Sequence, residues 1–113
     1  MTFLHQTAAS GEWFKFTLTE QMANIGSEVE RAISWRKKGR EDIARAAFFC
    51  ALELLDLTIE GVGRDEGKLG ELCRCKELFA DFFIGSNLYS QTNEMWQRYF
   101  YHFTYAARLP PRL

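Results

Sequence analysis

Hydrophobic residues recur at intervals of three and four along most of the chain, in four periods that end at glycine or proline. This spacing is typical of amphipathic α-helices, because 3.6 residues complete a turn. The connections between the periods are short, as in helical bundles. We therefore predict an all-α fold, an antiparallel up-and-down four-helix bundle. The four periods cover residues 18–38, 41–60, 68–84 and 92–108, and their stop signals are Gly39, the glycines of 61–67, Gly85, Pro110 and Pro111.

The first sixteen residues lack helical periodicity but contain several aromatic side chains. We predict an irregular N-terminal arm over 1–16 that docks on a bundle formed by 17–109. Thr17 and Glu20 have the spacing of a capping box, in which each side chain bonds the backbone of the other residue. The first helix is therefore expected to begin directly after Thr17. The apolar residues of the arm are Phe3, Leu4, Trp13, Phe14 and Phe16.

The inner stripes of the four helices predict the core. On the last helix, the expected inward stripe contains Met95, Tyr99, His102, Ala106 and Leu109. Helical spacing places these five residues on one face. The predicted core residues are Leu18, Met22, Ile25, Val29, Phe48, Leu52, Leu55, Leu72, Phe79, Phe83, Met95, Tyr99 and Phe103.

The second and fourth helices carry more apolar residues than one inward face can use. The surplus residues are Ile43, Phe49, Leu57, Phe100 and Tyr101. A large exposed apolar patch usually marks a contact surface. We therefore expect these five residues to form an interface with a second copy of the chain, as a homodimer, or with another protein partner.

Charge and composition narrow the classes of partner. The 113 residues have a formal net charge of −1, which provides no general attraction for nucleic acid. The N-terminus lacks the features of a signal peptide, and no apolar run is long enough to span a bilayer. With three cysteines, these features predict a cytoplasmic protein with reduced thiols that does not enter membranes.

The sequence contains no convincing metal or cofactor motif. Cys73 and Cys75 lie two residues apart on a predicted helix, so their side chains point in opposite directions and cannot share an ion. Glu53 and Asp56 form a carboxylate pair without the second set that a magnesium site on helices requires. We predict no bound metal and no cofactor.

Several charged residues fall on or beside apolar stripes. Glu28, Arg36 and Lys76 are such residues, and His102 lies within the predicted stripe of the last helix, one turn after Arg98. Buried charges must be paired or functional. Glu28, Arg36 and Lys76 are therefore candidate ligand-binding residues.

A structural explanation of the same residues is also open. Arg36 and Lys76 can extend along apolar surface and keep their charges in water. Glu28 can pair with Arg31 or Lys76, and His102 can be a hydrogen-bonded core residue. Both explanations remain open from the sequence.

Arg98 and His102 resemble the Arg–His ribonuclease motif of HEPN domains, helical bundles that act on RNA. Three residues separate the two here, fewer than in that motif. Both side chains share one face of the helix, as stabilisation of charge and proton transfer at one site would require. The resemblance implies an RNA-cleaving or nucleotide-binding function with Arg98 and His102 as catalytic candidates.

Four separated blocks resemble a family of small prokaryotic four-helix proteins to which no reaction is assigned. The blocks are residues 24–32, 51–58, 71–74 and 99–108. This resemblance implies no activity, and shared architecture does not confer one. We favour a non-enzymatic interaction or regulatory module that acts through an apolar helix face, with the HEPN-like function as the alternative.

Overall fold

The computed structural model describes residues 11–109, which form a compact bundle of four α-helices without a strand. The helices are α1 (Leu18–Lys37), α2 (Glu41–Val62), α3 (Glu66–Phe83) and α4 (Asn93–Arg108). Within this range, α1 approaches α2 and α4 closely, and α2 approaches α3. The all-α four-helix fold is thus confirmed, while the antiparallel order of the helices stays a prediction.

Local capping signals define where the helices begin and end. The Thr17 hydroxyl accepts a 3.1 Å hydrogen bond from the Glu20 N–H, and the Glu20 carboxylate accepts one of 2.9 Å from the Thr17 N–H. The backbone bond is the main cause that lowers the pKa of Glu20. Thr92 caps α4 by accepting from the Met95 N–H. Gly39 follows α1 with a φ of +79°, which glycine adopts without strain.

Apolar side chains from all four helices meet in one core. Most of the predicted core residues are buried there, while Leu18, Leu52, Tyr99 and Phe103 pack against the core with part of their surface exposed. The largest fully buried side chains are Phe48, Phe79, Met22, Ile25, Ile33, Leu55, Val29 and Thr58.

The predicted inward stripe of α4 is wrong by about one residue, or roughly 100° of rotation. Trp96 and Phe100 are buried, whereas Met95 is 52% exposed and His102 lies on the surface. Phe100 packs where α1 has Gly26, since a Cβ built there would lie 2.8 Å from the Phe100 Cβ. The close contact between Phe100 and Gly26 thus holds α4 in this orientation. Ala106 and Leu109 are likewise exposed.

The described part of the predicted arm contains one turn of 3-10 helix, Glu12–Lys15. Trp13 is buried, and its indole N–H donates a 3.0 Å hydrogen bond to the Thr58 hydroxyl on α2. Gln21 donates a second bond of 3.0 Å to the Trp13 carbonyl. These two bonds attach the segment to α1 and α2. Residues 1–10, with Phe3 and Leu4, lie outside the described range.

Candidate functional site

The three predicted ligand-binding residues are paired with different partners. Arg36, in the last turn of α1, donates to both carboxylate oxygens of Glu41, at 2.8 and 3.3 Å. It also donates a 2.7 Å hydrogen bond to the carbonyl of Phe83, the last residue of α3. Arg36 thereby joins the ends of α1, α2 and α3, which is a structural role.

Lys76 and Glu28 are also engaged in ion pairs. Lys76 of α3 binds Asp56 of α2 through a short contact, and both side chains are partly exposed. Glu28 is paired with Arg31 at 3.4 Å, one turn away on α1, and its side chain is only 16% exposed. The structure therefore pairs Glu28, Arg36 and Lys76 with separate residues and not with each other.

Arg98 and His102 lie on the outer surface of α4. Both are exposed, and within residues 11–109 neither side chain takes part in a hydrogen bond or an ion pair. Neither residue lines any of the hollows described below. The prediction that His102 lies on the inward stripe is wrong, because α4 turns Trp96 and Phe100 inward.

Two of the five predicted interface residues are buried within the chain itself. Leu57 and Phe100 belong to the core, so their inclusion in an uncovered face is wrong. Phe49 and Tyr101 are 44% and 61% exposed, and Ile43 is partly exposed. These three residues therefore keep apolar surface exposed to solvent, and further exposed apolar side chains lie elsewhere on the bundle.

Part of the remaining exposed apolar surface borders a gap between α3 and α4. A hollow of about 240 Å³ opens there, with walls made chiefly of apolar atoms. Met95 and Trp96 of α4 face Leu78 of α3 across it. The complete lining consists of Glu71, Arg74, Cys75, Leu78, Gln91, Met95, Trp96 and Tyr99.

A second and larger hollow, of about 420 Å³, adjoins the first and shares four of its lining residues. Tyr89, from the loop between α3 and α4, lies here and is 67% exposed. We call the two hollows together the α3–α4 groove, lined on its apolar side by Leu78, Tyr89, Met95, Trp96 and Tyr99. Glu77 lines the second hollow and not the first.

Aromatic rings packed edge to face support the groove from below. The Trp96 ring packs edge-on against Phe79, with centroids 5.1 Å apart, and lies 5.9 Å from Tyr99. Phe79 is fully buried in the core. A well-packed floor of this kind forms without a ligand, as is usual for binding sites.

Gln91 is held firmly at the mouth of the groove. Its backbone exchanges two 2.9 Å hydrogen bonds with the Asn87 side chain. Its side-chain oxygen accepts a 2.8 Å bond from the Trp96 indole N–H. The amide NH₂ group is the remaining polar group of Gln91, and within residues 11–109 it donates to no acceptor.

The hydroxyl and thiol in the first hollow are neutral groups near pH 7. Burial is the main cause that raises the pKa of the Cys75 thiol to about 12. Burial, followed by the neighbouring Cys75 and Glu71, raises the pKa of Tyr99 as well. A thiol needs to ionise to act as a nucleophile or metal ligand. Cys75 is therefore unsuited to either role.

Arg74 is exposed at the junction of the two hollows and carries a charge that no neighbour neutralises. Glu71 and Glu77 lie three residues before and after it, a spacing at which ion pairs form on helices. At that spacing Arg31 does pair with Glu28. Within the described range, however, Arg74 makes no ion pair. Its guanidinium group remains available beside the apolar groove.

The groove was missed from the sequence because its residues come from two helices and a loop. A partial signal existed in Tyr89, an aromatic residue in a predicted loop, close in sequence to Met95 and Trp96. The gap itself depends on how α3 and α4 pack, which periodicity does not specify.

Comparisons with protein-family models, curated proteins and solved structures find no match to this chain. None of the helices in the described range has both the length and the apolar character of a bilayer-spanning helix. In the same range, no three His, Cys, Asp or Glu side chains gather where they could hold a metal ion.

Proposed function

We propose that this protein is a non-enzymatic interaction module whose α3–α4 groove pairs with the same groove of a second copy. The supporting observation is the exposure of Tyr89 and Met95 beside Leu78, since large apolar side chains in one patch are favourably buried on association. We thus propose the homodimer expected from the sequence at a surface different from the one first predicted.

The charges around the groove favour a second copy of this chain as the partner. In a twofold dimer the same patch meets itself, so it must be complementary to itself. Arg74 and Glu77 provide both signs of charge on one helix surface. When two α3 helices meet in opposite directions, Arg74 of each copy can lie opposite Glu77 of the other. A net charge of −1 adds little repulsion between the copies.

The chemistry of the groove supports binding and gives no support to catalysis. Cys75 is a buried neutral thiol, and Glu71 interacts with the Tyr99 hydroxyl. We also propose the cytoplasm as the location of the protein. This proposal is supported by Cys50, Cys73 and Cys75, all of which are free thiols.

Sedimentation equilibrium over a range of micromolar concentrations tests the pairing. We expect a species of twice the 13.2 kDa chain mass that dissociates on dilution. Tyr89→Asp places a charge in the paired surface and is expected to give a monomer. Its matched control is Tyr101→Asp, which changes a tyrosine of similar exposure on the outer surface of α4 and should leave the dimer intact.

The result can overturn the proposal in two ways. A wild-type protein that stays monomeric at high micromolar concentration removes the second copy as the partner. A dimer that Tyr101→Asp breaks and Tyr89→Asp does not would move the interface to the outer surface of α4. Circular dichroism of each variant establishes that it remains folded.

A further inference from the structure

The first hollow of the groove combines apolar walls with charges of both signs at its rim. Its volume of about 240 Å³ is below the roughly 300 Å³ at which sites for drug-sized ligands begin. Leu78, Met95 and Trp96 provide the apolar contact area. A ligand for this hollow is therefore small, with a compact apolar body.

One side of the rim offers donors for a carboxylate. The Arg74 guanidinium has no ion-pair partner in the described range, and its planar fork of N–H groups matches the two oxygens of a carboxylate. The Gln91 amide NH₂ is the second unused donor, and its position is determined by the bond that Trp96 makes to the amide oxygen. Two donors thus line the same hollow.

The other charged group of the hollow is an acceptor. Glu71 lies one helical turn before Arg74, yet the two side chains form no ion pair. The Glu71 carboxylate interacts with the Tyr99 hydroxyl, which contributes a donor but no positive charge. Glu71 can therefore still receive an ammonium group.

We propose that this hollow binds a small apolar α-amino acid, with its carboxylate on Arg74 and Gln91, its ammonium on Glu71 and its side chain against Trp96 and Leu78. A zwitterion satisfies both unneutralised charges, whereas a simple acid meets the repulsion of Glu71 and a simple amine meets that of Arg74. All of the groups involved belong to one chain, so the site is complete in a monomer. Because the proposed dimer pairs Arg74 with Glu77 of the other copy, the amino acid and the second copy compete for this groove.

Methyl resonances of methionine provide a direct test. Met95 lines the hollow, while Met22 is buried in the core and serves as an internal reference. In protein labelled with [¹³C-methyl]methionine, we expect L-phenylalanine or L-leucine to shift the Met95 signal in a saturable manner and leave Met22 unchanged. The analogues 3-phenylpropionate and phenethylamine each lack one charge. We expect them to bind at least about tenfold more weakly, the loss that one charge-assisted hydrogen bond implies.

Single substitutions test the role proposed for each charged residue of the hollow. Arg74→Gln and Glu71→Gln are each expected to weaken binding of L-phenylalanine by about tenfold or more. Glu77→Gln, made in the Tyr89→Asp background where no second copy competes, is the matched control. Glu77 lines only the second hollow, so this change should have no effect on binding. The Tyr89→Asp variant, which is expected to be a monomer, keeps the lining of the first hollow and should bind at least as tightly as the wild type.

The outcomes separate this site from the dimer proposal. The amino-acid site is overturned when neither amino acid shifts Met95 in the wild type or in Tyr89→Asp, when the singly charged analogues bind equally well, or when Arg74→Gln and Glu71→Gln bind like the wild type. Binding in a wild-type protein that is monomeric would support this site and reject the dimer. A dimeric wild type, together with a Met95 signal that responds to neither amino acid even in Tyr89→Asp, would support the dimer and reject this site.

Discussion

The Arg36 guanidinium lies over the ring of Phe83, with its central carbon 3.5 Å from the ring centroid. The same side chain donates a hydrogen bond to the Phe83 carbonyl, one of the carbonyls that a helix end leaves without an intrahelical partner. Glu41 provides the opposite charge and begins α2. An arginine that interrupts an apolar stripe thus stabilises the end of a helix 47 residues away.

Arg36→Lys is expected to lower the free energy of unfolding by about 1–2 kcal/mol. Lysine keeps the charge but loses the planar stacking and the forked contact with Glu41. Urea unfolding measures the loss. Arg45→Lys is the control, because Arg45 pairs with the same Glu41 at 3.7 Å on an exposed surface, where such pairs contribute little. Equal stability of the two variants would contradict the role given to Arg36.

Gly26→Ala and Gly70→Ala are expected to change stability in opposite directions. Alanine favours a helix over glycine by about 1 kcal/mol in both places. At Gly70 of α3 a new Cβ meets nothing within 4 Å, so Gly70→Ala should stabilise the protein by up to that amount. At Gly26 the new Cβ would lie 2.8 Å from the Phe100 Cβ, so α4 must move away. Thermal unfolding should show Gly26→Ala destabilised, and a rise in its melting temperature would contradict the close packing.

Thr58→Val is expected to destabilise the fold by about 1–3 kcal/mol, because it leaves the buried indole N–H of Trp13 without its acceptor. Thr104→Val provides the control. Both threonine hydroxyls donate to the carbonyl four residues earlier, but only Thr58 also accepts from a tryptophan. Chemical unfolding of the two variants isolates the contribution of the Trp13 bond. No difference between them would contradict its importance.

The contrast between Arg36 and Thr17 shows which features could be predicted from the sequence. The capping box of Thr17 and Glu20 depends on four consecutive residues, and the stop at Gly39 depends on one, so both were predicted correctly. Arg36 was recognised as anomalous on its stripe. Its partner could not be predicted, because the carbonyl of Phe83 belongs to another helix.

The orientation of α4 and the groove beside it could not be predicted from the sequence. Aromatic residues occupy nearly the whole circumference of α4, so two adjacent stripes were almost equally apolar. The choice between them depends on the contact of Phe100 with Gly26 and on the bond from Trp96 to Gln91. The first contact joins two helices that are far apart in the sequence, and the second joins α4 to the loop that precedes it. Helical periodicity predicts neither contact. The α3–α4 groove exists because α4 adopts this orientation.

Cys75 is expected to resist alkylation in the folded protein. Its pKa of about 12 leaves almost no thiolate at pH 8, and iodoacetamide reacts with the thiolate. Mass spectrometry after brief labelling should find Cys75 unmodified, whereas partly exposed Cys73 is modified first. Labelling in urea should modify both. Rapid modification of Cys75 in the native state would contradict its burial.

The raised pKa of Cys75 also predicts how the stability of the fold changes in alkaline solution. The unfolded Cys75 thiol loses its proton near its ordinary pKa of 9.0, while the folded one keeps it up to about 12. The folded state therefore binds more protons in this window, so stability falls as the pH rises from about 9 towards 12. The raised pKa of Tyr99 acts in the same direction. Urea midpoints measured across this range should be less pH-dependent in Cys75→Ala, in which one of the two groups is absent.

RNA turnover distinguishes the proposed interaction module from the HEPN-like alternative. Arg98 and His102 lie on an open helix surface, without the enclosing walls that strengthen electrostatic stabilisation of a transition state. We therefore expect wild-type protein and His102→Ala to be equally inactive towards fluorescently labelled single-stranded RNA. Cleavage by the wild type that is lost in both His102→Ala and Arg98→Ala, but retained in Tyr101→Asp, would assign a catalytic role to this surface. Because Tyr101→Asp alters the same face of α4 without removing either candidate residue, it separates loss of chemistry from general disturbance of the helix.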